Sequence, residues 1–270
     1  MKKRINEAVE YIRTICIAKP AVGIILGTGL GTFTKEIKID SEIFYGDIPH
    51  FPLSTVEGHS GKLIFGELCG KNVVTMSGRF HHYEGYSADE VIFPVRVMKH
   101  LGIKTLLLSN AAGGVNPKFE VGDLMIIKDH ISQFTVNPLI GKNDREMGPR
   151  FPDMSEPYSK RLIKKAKQIA ETNGINIREG VYIAVTGPTF ETRAEYKMVH
   201  ILGGDAVGMS TVQEVIAAVH LGLECFAMSV ITDLGIRDQE NKITHEEVLQ
   251  AAKEAEPKFA RLFRELVAQI

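Results

Sequence analysis

The hydrophobic positions of this chain follow two periods, one typical of helices and one typical of buried strands. Apolar residues recur at helical spacing over residues 5–17, which predicts an amphipathic helix. Pro20 then precedes a short apolar run, 21–26, that ends in glycines. This order predicts a helix, a strand and a glycine-rich turn.

Short apolar runs bounded by glycine or asparagine recur along the rest of the chain. Their length and β-branched content predict further strands, which we expect at 63–65, 73–76, 105–108, 124–127, 181–185 and 225–231. Helical patterns between them lie at 89–101, 156–172, 192–202, 211–221 and 244–266. Alternating strands and helices predict an α/β fold, and we expect one domain over residues 1–270.

The near-equal numbers of acidic and basic residues limit which kinds of molecule this protein is expected to bind. Lys and Arg total 32 against 33 for Asp and Glu, a net charge of -1, so no broad positive field is expected for nucleic acid or a membrane surface. The basic start of the chain runs into polar residues instead of an apolar segment, and no stretch is long enough to span a bilayer. Three cysteines without paired spacing favour the reducing cytoplasm. We therefore expect small-molecule partners.

The glycine-rich turn at 27–31 follows the strand predicted at 21–26. Such turns expose backbone N–H groups that bind anions, which indicates a phosphate loop. A dinucleotide fingerprint requires its third glycine where Thr32 stands. A nicotinamide-dependent oxidoreductase is therefore the alternative class, and a tight connection without function is the plain structural alternative.

A second polar cluster, 77–86, follows the strand predicted at 73–76. Arg79 can bind phosphate through two parallel N–H donors, while tyrosine and histidine supply neutral donors for sugar hydroxyls. His81 and His82 point in opposite directions if this segment is extended, which argues against a shared metal. The cluster indicates a site for a phosphate and a sugar.

Other predicted strands also end in chemically suited residues. The small residues of 109–114 let a ligand approach the backbone. Segment 187–193 offers an aromatic face and the carboxylate of Glu191, which together suit a purine base. Glu191 as a helix N-terminal charge and Ser210 as a helix N-cap are the structural alternatives. Because ligands of α/β proteins bind at the carboxyl ends of strands, these segments are expected to share one pocket.

Taken in order, these segments closely resemble the trimeric class of purine nucleoside phosphorylases, the purine-salvage transferases that split a purine nucleoside with inorganic phosphate. The matching stretches are 27–31, 57–59, 78–86, 110–120, 187–191, 207–211 and 245–247. The resemblance implies a mixed, partly barrel-like central β-sheet flanked by helices. It also implies a homotrimer, phosphate as co-substrate, and no cofactor or metal.

The resemblance further assigns site residues. The phosphate pocket it implies comprises Thr28, His59, Arg79, His81, the backbone amide of Ala111 and Ser210, with Glu84 nearby. The nucleoside site it implies comprises Tyr83, Phe190, Glu191, Val207, Met209, Asp233, His245 and, from a neighbouring subunit, Phe151. Its catalytic residues would be Asp233, Glu191 and His81.

Asp233 departs from the pattern of that family. Phosphorylases for 6-oxopurines carry asparagine there, because an amide donates to the 6-carbonyl and accepts from protonated nitrogen 7, whereas an ionised aspartate only accepts. Related methylthioadenosine phosphorylases carry aspartate and take 6-aminopurines, but they lack the match to Glu191 and His245. Two hypotheses follow: Asp233 is protonated during turnover and inosine and guanosine are the substrates, or it broadens the pocket towards adenosine. A nucleoside-binding protein without turnover is the remaining class.

Overall fold

A nine-stranded mixed sheet forms the centre of the molecule in a computed structural model that describes residues 1–236 and 243–270. The strands are β1 (Val22–Leu26), β2 (Lys38–Phe44), β3 (Lys62–Leu68), β4 (Lys71–Ser77), β5 (Thr105–Gly114), β6 (Leu124–Phe134), β7 (Ile177–Val185), β8 (Ala206–Gly208) and β9 (Glu224–Leu234). The helices are α1 (Lys2–Ile15), α2 (Ala88–Val91), α3 (Phe93–Leu101), α4 (Lys160–Thr172), α5 (Arg193–Ile201), α6 (Val212–His220) and α7 (His245–Ala268). None of the described helices is long and apolar enough to cross a membrane.

One half of the sheet is open and the other half closes into a barrel. The strand order is β2-β3-β4-β1-β5-β8-β7-β6-β9, and β5 also pairs with β9. This additional pairing joins β5, β8, β7, β6 and β9 into a ring, while β2, β3, β4 and β1 extend from it. The mixed, partly barrel-like sheet expected from the family resemblance is therefore confirmed.

The sheet is covered by helices on both faces. Ile25 of β1 belongs to a buried cluster shared with α1 and α3, whereas the adjacent Ile24 belongs to a cluster shared with α4 and α7. Successive strand residues point to opposite faces, so the two clusters lie on opposite sides. Phe259 and Phe263 of α7 are fully buried with ring centroids 4.2 Å apart, and each contributes about 1.5–3 kcal/mol by its burial.

Two strands escaped the hydrophobic pattern. Most residues of β2 are exposed because it is an edge strand paired only with β3, so it has no continuous apolar run. Strand β8 has three residues, too few for any periodicity. Its pairing with β5 and β7 places it in the barrel, which is a tertiary interaction.

Helix boundaries differ from the prediction where local chemistry intervenes. The helix predicted at 89–101 is divided into α2 and α3, with Pro94 in the first turn of α3, where a proline lacks the N–H needed to continue the preceding helix. Helix α4 begins at Lys160 rather than 156, because the Ser159 side chain accepts from the Leu162 N–H and caps the helix. A 3₁₀ helix, Gly31–Glu36, follows the glycine turn.

The strands that position the site run parallel. Strand β1 is parallel to both β4 and β5, and β5 is parallel to β9. Their carboxyl ends therefore meet at one edge of the sheet. This arrangement brings the glycine turn, the Arg79 segment and Asp233 together.

Candidate active site

A cavity of about 400 Å³ opens at this edge of the sheet. The residues predicted from the sequence that line it are Thr28, Arg79, His81, Tyr83, Ala111, Phe190, Glu191, Val207, Met209, Ser210, Asp233 and His245. They come from nearly the whole length of the chain. The structure thus brings most of the predicted phosphate and nucleoside residues into one pocket.

Two predicted residues do not line the cavity. His59 lies directly behind its wall, with Nε2 3.3 Å from the Thr28 hydroxyl and its ring stacked on His81 at 5.6 Å between centroids. Phe151 is 88% exposed and lies outside the cavity of its own chain, with the Arg150 guanidinium 5.8 Å from its ring. That Phe151 reaches a neighbouring subunit's site remains a prediction.

The Arg79 side chain is held rigidly at the inner wall of the cavity. It is 1% exposed; Nε donates to Oε1 of Glu214 at 3.1 Å, and Nη1 donates to the Ser109 carbonyl. Nη2 is buried without a hydrogen-bond partner in the described part of the chain. The guanidinium therefore keeps the two N–H donors of Nη2 for an anion, and Glu214 fixes its orientation.

The peptide before Arg79 requires glycine. Gly78 has φ +102°, and a Cβ there would lie 2.6 Å from Cβ of His59. Only glycine avoids both the strain of positive φ and this clash. The turn thereby brings the Arg79 backbone N–H to Nδ1 of His59 at 3.3 Å.

This hydrogen bond fixes the state of His59. Nδ1 accepts from the Arg79 N–H at 3.3 Å and lies 3.0 Å from the Ser54 hydroxyl, which can also donate to it. With Nδ1 as the acceptor, the ring proton of the neutral imidazole resides on Nε2, next to the Thr28 hydroxyl. Burial, with the nearby charges of His81 and Arg79, lowers the pKa of His59 to about 3. His59 is therefore a neutral donor at the anion end of the cavity.

The ring of His81 has the opposite hydrogen-bonding pattern to that of His59. Its Nδ1 donates to Oε1 of Glu84 at 2.9 Å, and the same oxygen accepts from the His81 backbone N–H at 2.8 Å. Burial opposes ionisation of Glu84, but hydrogen bonds from His81 and Thr55 outweigh it and lower the pKa of Glu84 to about 2. Burial lowers the pKa of His81. Neutral His81 therefore presents Nε2 as a hydrogen-bond acceptor, and Glu84 fixes the orientation of its ring.

His81 and His82 have different surroundings, although His82–Glu84 form a 3₁₀ helix and not the extended segment that the prediction assumed. Tyr83 stacks on His81 with centroids 4.6 Å apart and lines the cavity. His82 instead bonds the Tyr86 carbonyl through Nδ1 at 2.8 Å, outside the cavity. The two histidines do not form a metal pair.

Ser210 is not a helix cap. Helix α6 begins at Val212 and its N-cap is Thr211, which has φ +73° and makes no side-chain capping bond. The Thr211 hydroxyl instead accepts from the Asn110 amide at 2.8 Å and lies 3.1 Å from the Ser210 hydroxyl. This network holds Ser210 at the cavity beside the Ala111 backbone.

The far end of the cavity carries two carboxyl groups. Glu191 precedes Thr192, the N-cap of α5, so it is not a helical residue, and it faces the cavity. Burial, followed by the adjacent charge of Asp233, raises the pKa of Glu191. Asp233 is 7% exposed, and its Oδ1 accepts from the Thr232 hydroxyl at 3.1 Å. With the ring of Phe190, this end suits the face and polar edge of a base.

Sequence reasoning missed two residues that shape the site. Glu214 is the lone acid in the otherwise mostly apolar run 212–219, and this isolation was an available signal of a buried partner. Tyr196 lines the cavity at the end that holds Glu191 and Asp233. Its place in an amphipathic helix gave it the pattern of an ordinary core residue.

Comparisons with known proteins agree with this geometry. The family model of the phosphorylase superfamily matches residues 21–268. Purine nucleoside phosphorylase 1 of Geobacillus stearothermophilus is 53% identical, over 97% of this chain and 96% of that protein. The structure of Schistosoma mansoni purine nucleoside phosphorylase with adenosine superposes with a TM-score of 0.95 at 42% identity, over 99% of this chain and 97% of that one. Its complex with inosine gives 0.94 at 41%, over 99% and 96%.

A sheet closed over half its width, with an anion pocket at one end of the cavity and carboxylates at the other, defines a nucleoside phosphorylase. The chain belongs to the phosphorylase superfamily and, within it, to the purine nucleoside phosphorylases. It is accordingly a pentosyltransferase. The family, fold and enzyme class predicted from the sequence are confirmed, and an oxidoreductase is excluded.

Proposed function

We propose that this enzyme prefers the 6-oxopurine nucleosides inosine and guanosine, with ribose or 2′-deoxyribose, and needs only inorganic phosphate as co-substrate. The observation that carries the proposal is the polarity of the cavity: an unpaired Arg79 donor at one end and the Glu191 carboxyl at the other. A 6-oxopurine presents a ring N–H that a carboxylate accepts. The three cysteines, all free thiols among the described residues, support a cytoplasmic location.

The proposed reaction forms one bond and breaks one bond at C1′ of the ribose. A phosphate oxygen forms a bond to C1′ as the C1′–N9 bond breaks, and the bonding pair leaves with the purine. Positive charge develops on the ribose and negative charge on the base, so groups that stabilise these charges as they form lower the barrier. Arg79, Thr28, Ser210 and the Ala111 amide hold the phosphate, and His59 supports the Thr28 hydroxyl from behind the cavity wall.

The remaining residues have positioning roles in this proposal. Tyr83 and Met209 lie against the ribose, and His245, whose buried Nε2 has no hydrogen-bond partner in the described chain, bonds the 5′-hydroxyl. Phe190 and Val207 contact the base. His81, oriented by Glu84, contacts the phosphate through its neutral Nε2.

Asp233 supports a second candidate function, an adenosine or methylthioadenosine-type phosphorylase. An ionised carboxylate accepts from a 6-amino group but cannot donate to a 6-carbonyl. A Schistosoma mansoni relative has been crystallised with adenosine as well as with inosine. Base preference is therefore the property to measure first.

The decisive experiment follows release of free base from inosine, guanosine and adenosine by ultraviolet absorbance, with and without phosphate. Phosphate-dependent release of hypoxanthine and guanine supports the proposal. Release of adenine alone makes Asp233 the selector of 6-aminopurines. Release without phosphate contradicts phosphorolysis.

Substituting Asp233→Asn tests the selector directly. If Asp233 sets base preference, the ratio of kcat/KM for inosine to that for adenosine rises, because the amide adds a donor for the 6-carbonyl. The ratio is compared with that of the parent enzyme. Unchanged ratios for all three nucleosides would refute a selecting role for this residue.

A further inference from the structure

Tyr196 is a buried residue of the base end that the family resemblance does not assign. It lies on α5, is 4% exposed and lines the cavity with Glu191 and Asp233. Its ring lies against Gly235, where a Cβ would lie 2.2–2.5 Å from ring carbons. The missing side chain at Gly235 therefore makes room for the phenol.

The phenol hydroxyl is directed at the two carboxyl groups. Burial, and then the charges of Asp233 and Glu191, raise the pKa of Tyr196 well above its ordinary value. The hydroxyl therefore keeps its proton at neutral pH. Its oxygen is buried and lies within hydrogen-bonding reach of both carboxyl groups, so the O–H can turn from a carboxylate to a ligand acceptor that enters between them.

The position of the Tyr196 hydroxyl indicates which atom of a bound purine it would face. In the proposed orientation, Glu191 faces ring nitrogen 1 and Asp233 faces nitrogen 7. The 6-substituent lies between these two nitrogens on the purine ring. A group placed between the two carboxyls therefore faces the 6-substituent.

An asparagine at position 233 would supply a donor to the 6-carbonyl and an acceptor for the hydrogen of protonated nitrogen 7. An ionised Asp233 supplies only the acceptor. A neutral phenol supplies the missing donor. Tyr196 as the donor and Asp233 as the acceptor thus provide together what the amide of one asparagine would provide, and Asp233 does not need to be protonated.

We propose that Tyr196 is a specificity-determining residue that donates a hydrogen bond to the 6-carbonyl oxygen, while Asp233 accepts a hydrogen bond from the N–H of protonated nitrogen 7. This inference rests on the proposed preference for 6-oxopurines. It explains how a chain with aspartate at this position retains a site for inosine and guanosine. It also assigns a role to Gly235, which makes room for the phenol.

The test compares the affinities of hypoxanthine and of unsubstituted purine, which lacks a 6-substituent, by titration calorimetry at saturating phosphate. In Tyr196→Phe the dissociation constant of hypoxanthine rises roughly 10-fold, as expected for one lost buried hydrogen bond, and that of purine stays within about twofold. Tyr86→Phe is the matched control, because its hydroxyl bonds the Leu53 carbonyl at 2.7 Å, outside the cavity. Equal weakening of both bases in Tyr196→Phe overturns the proposal.

A second variant moves the phenol without removing its hydroxyl. Gly235→Ala forces the Tyr196 ring to shift, so it should also weaken hypoxanthine selectively. Unchanged hypoxanthine affinity in both variants refutes the role of Tyr196. If the parent enzyme releases only adenine in the nucleoside assay, the proposed 6-oxopurine preference itself fails, and the two failures are distinguishable.

Discussion

At the scale of single residues, the site depends on buried groups whose charge is fixed by their neighbours. Arg79 keeps its orientation through Glu214 and the Ser109 carbonyl. His59 and His81 lie side by side, yet the Nε2 of His59 is a donor behind the cavity wall and that of His81 is an acceptor at the cavity, because each Nδ1 has a different partner. A residue type alone does not define its role here; its hydrogen-bond partner does.

Replacing Arg79 tests the anion end. Arg79→Ala should lower kcat/KM by roughly 10² to 10³, the effect of removing a donor that stabilises the transition state. Steady-state kinetics with phosphate as the varied substrate measure it. Arg96→Ala, which removes an ion pair with Asp89 outside the cavity, should leave turnover unchanged. Near-parental turnover of Arg79→Ala would contradict this phosphate pocket.

The buried His59 makes stability depend on pH. The folded chain holds this ring neutral down to a pKa of about 3, whereas an unfolded histidine protonates near pH 6.5. Its contribution to stability is therefore complete above about pH 6.5 and is lost progressively as pH falls towards 3, by at most about 1.4 kcal/mol per pH unit.

Urea unfolding at pH 7.5 and 5.0 measures this loss. In His59→Gln the difference between the two unfolding free energies should be smaller than in the parent enzyme. His100→Gln, at an exposed position, serves as the control and should retain the parental difference. An equal pH dependence in all three proteins would show that His59 is not held neutral.

At the scale of elements, helix α5 carries the base end of the site. Glu191 lies just before its N-cap and Tyr196 lies in its first turns. The capping box of Thr192 and Glu195 fixes where the helix starts. A threonine followed three residues later by a glutamate is a capping-box pattern that can be read from the sequence. The distance between Glu191 and Asp233 cannot be read in this way, because Asp233 belongs to β9, which is distant in the chain.

Removing this cap should affect both stability and binding. Thr192→Ala is expected to lower the unfolding free energy by about 1 kcal/mol and to raise the KM for inosine, because the start of the helix is released. Ser87→Ala removes the equivalent capping box of α2, which contributes no residue to the cavity. It should match the stability loss without changing KM. Thermal unfolding and inosine kinetics of both variants decide between a local and a general effect.

At the scale of the whole molecule, several large apolar side chains are exposed. Among them are Ile140, Phe151, Phe190, Met198 and Ile201. Exposed apolar side chains that gather into one patch mark protein–protein contacts. They support the proposed homotrimer in which Phe151 completes the site of a neighbouring subunit.

Mixing two impaired variants tests sharing of sites between subunits. Phe151→Ala and Arg79→Ala should each have low activity as homo-oligomers. After joint unfolding and refolding, an Arg79-intact site can receive Phe151 from an Arg79→Ala neighbour, so activity should exceed the sum of the separate proteins. Activity equal to that sum would indicate sites complete within one chain, and sedimentation analysis would give the number of 29.9 kDa chains.

The sequence by itself determined the α/β class, the main strands and helices, and most of the cavity residues. It did so because apolar periodicity, glycine turns and strand ends are local, and because the ordered motifs resemble one enzyme family. Only the tertiary structure decided the closure of β5 on β9, the partner of Arg79, the opposite states of the two histidines and the place of Tyr196. These depend on contacts between residues far apart in the chain, and burial and charge act through such contacts.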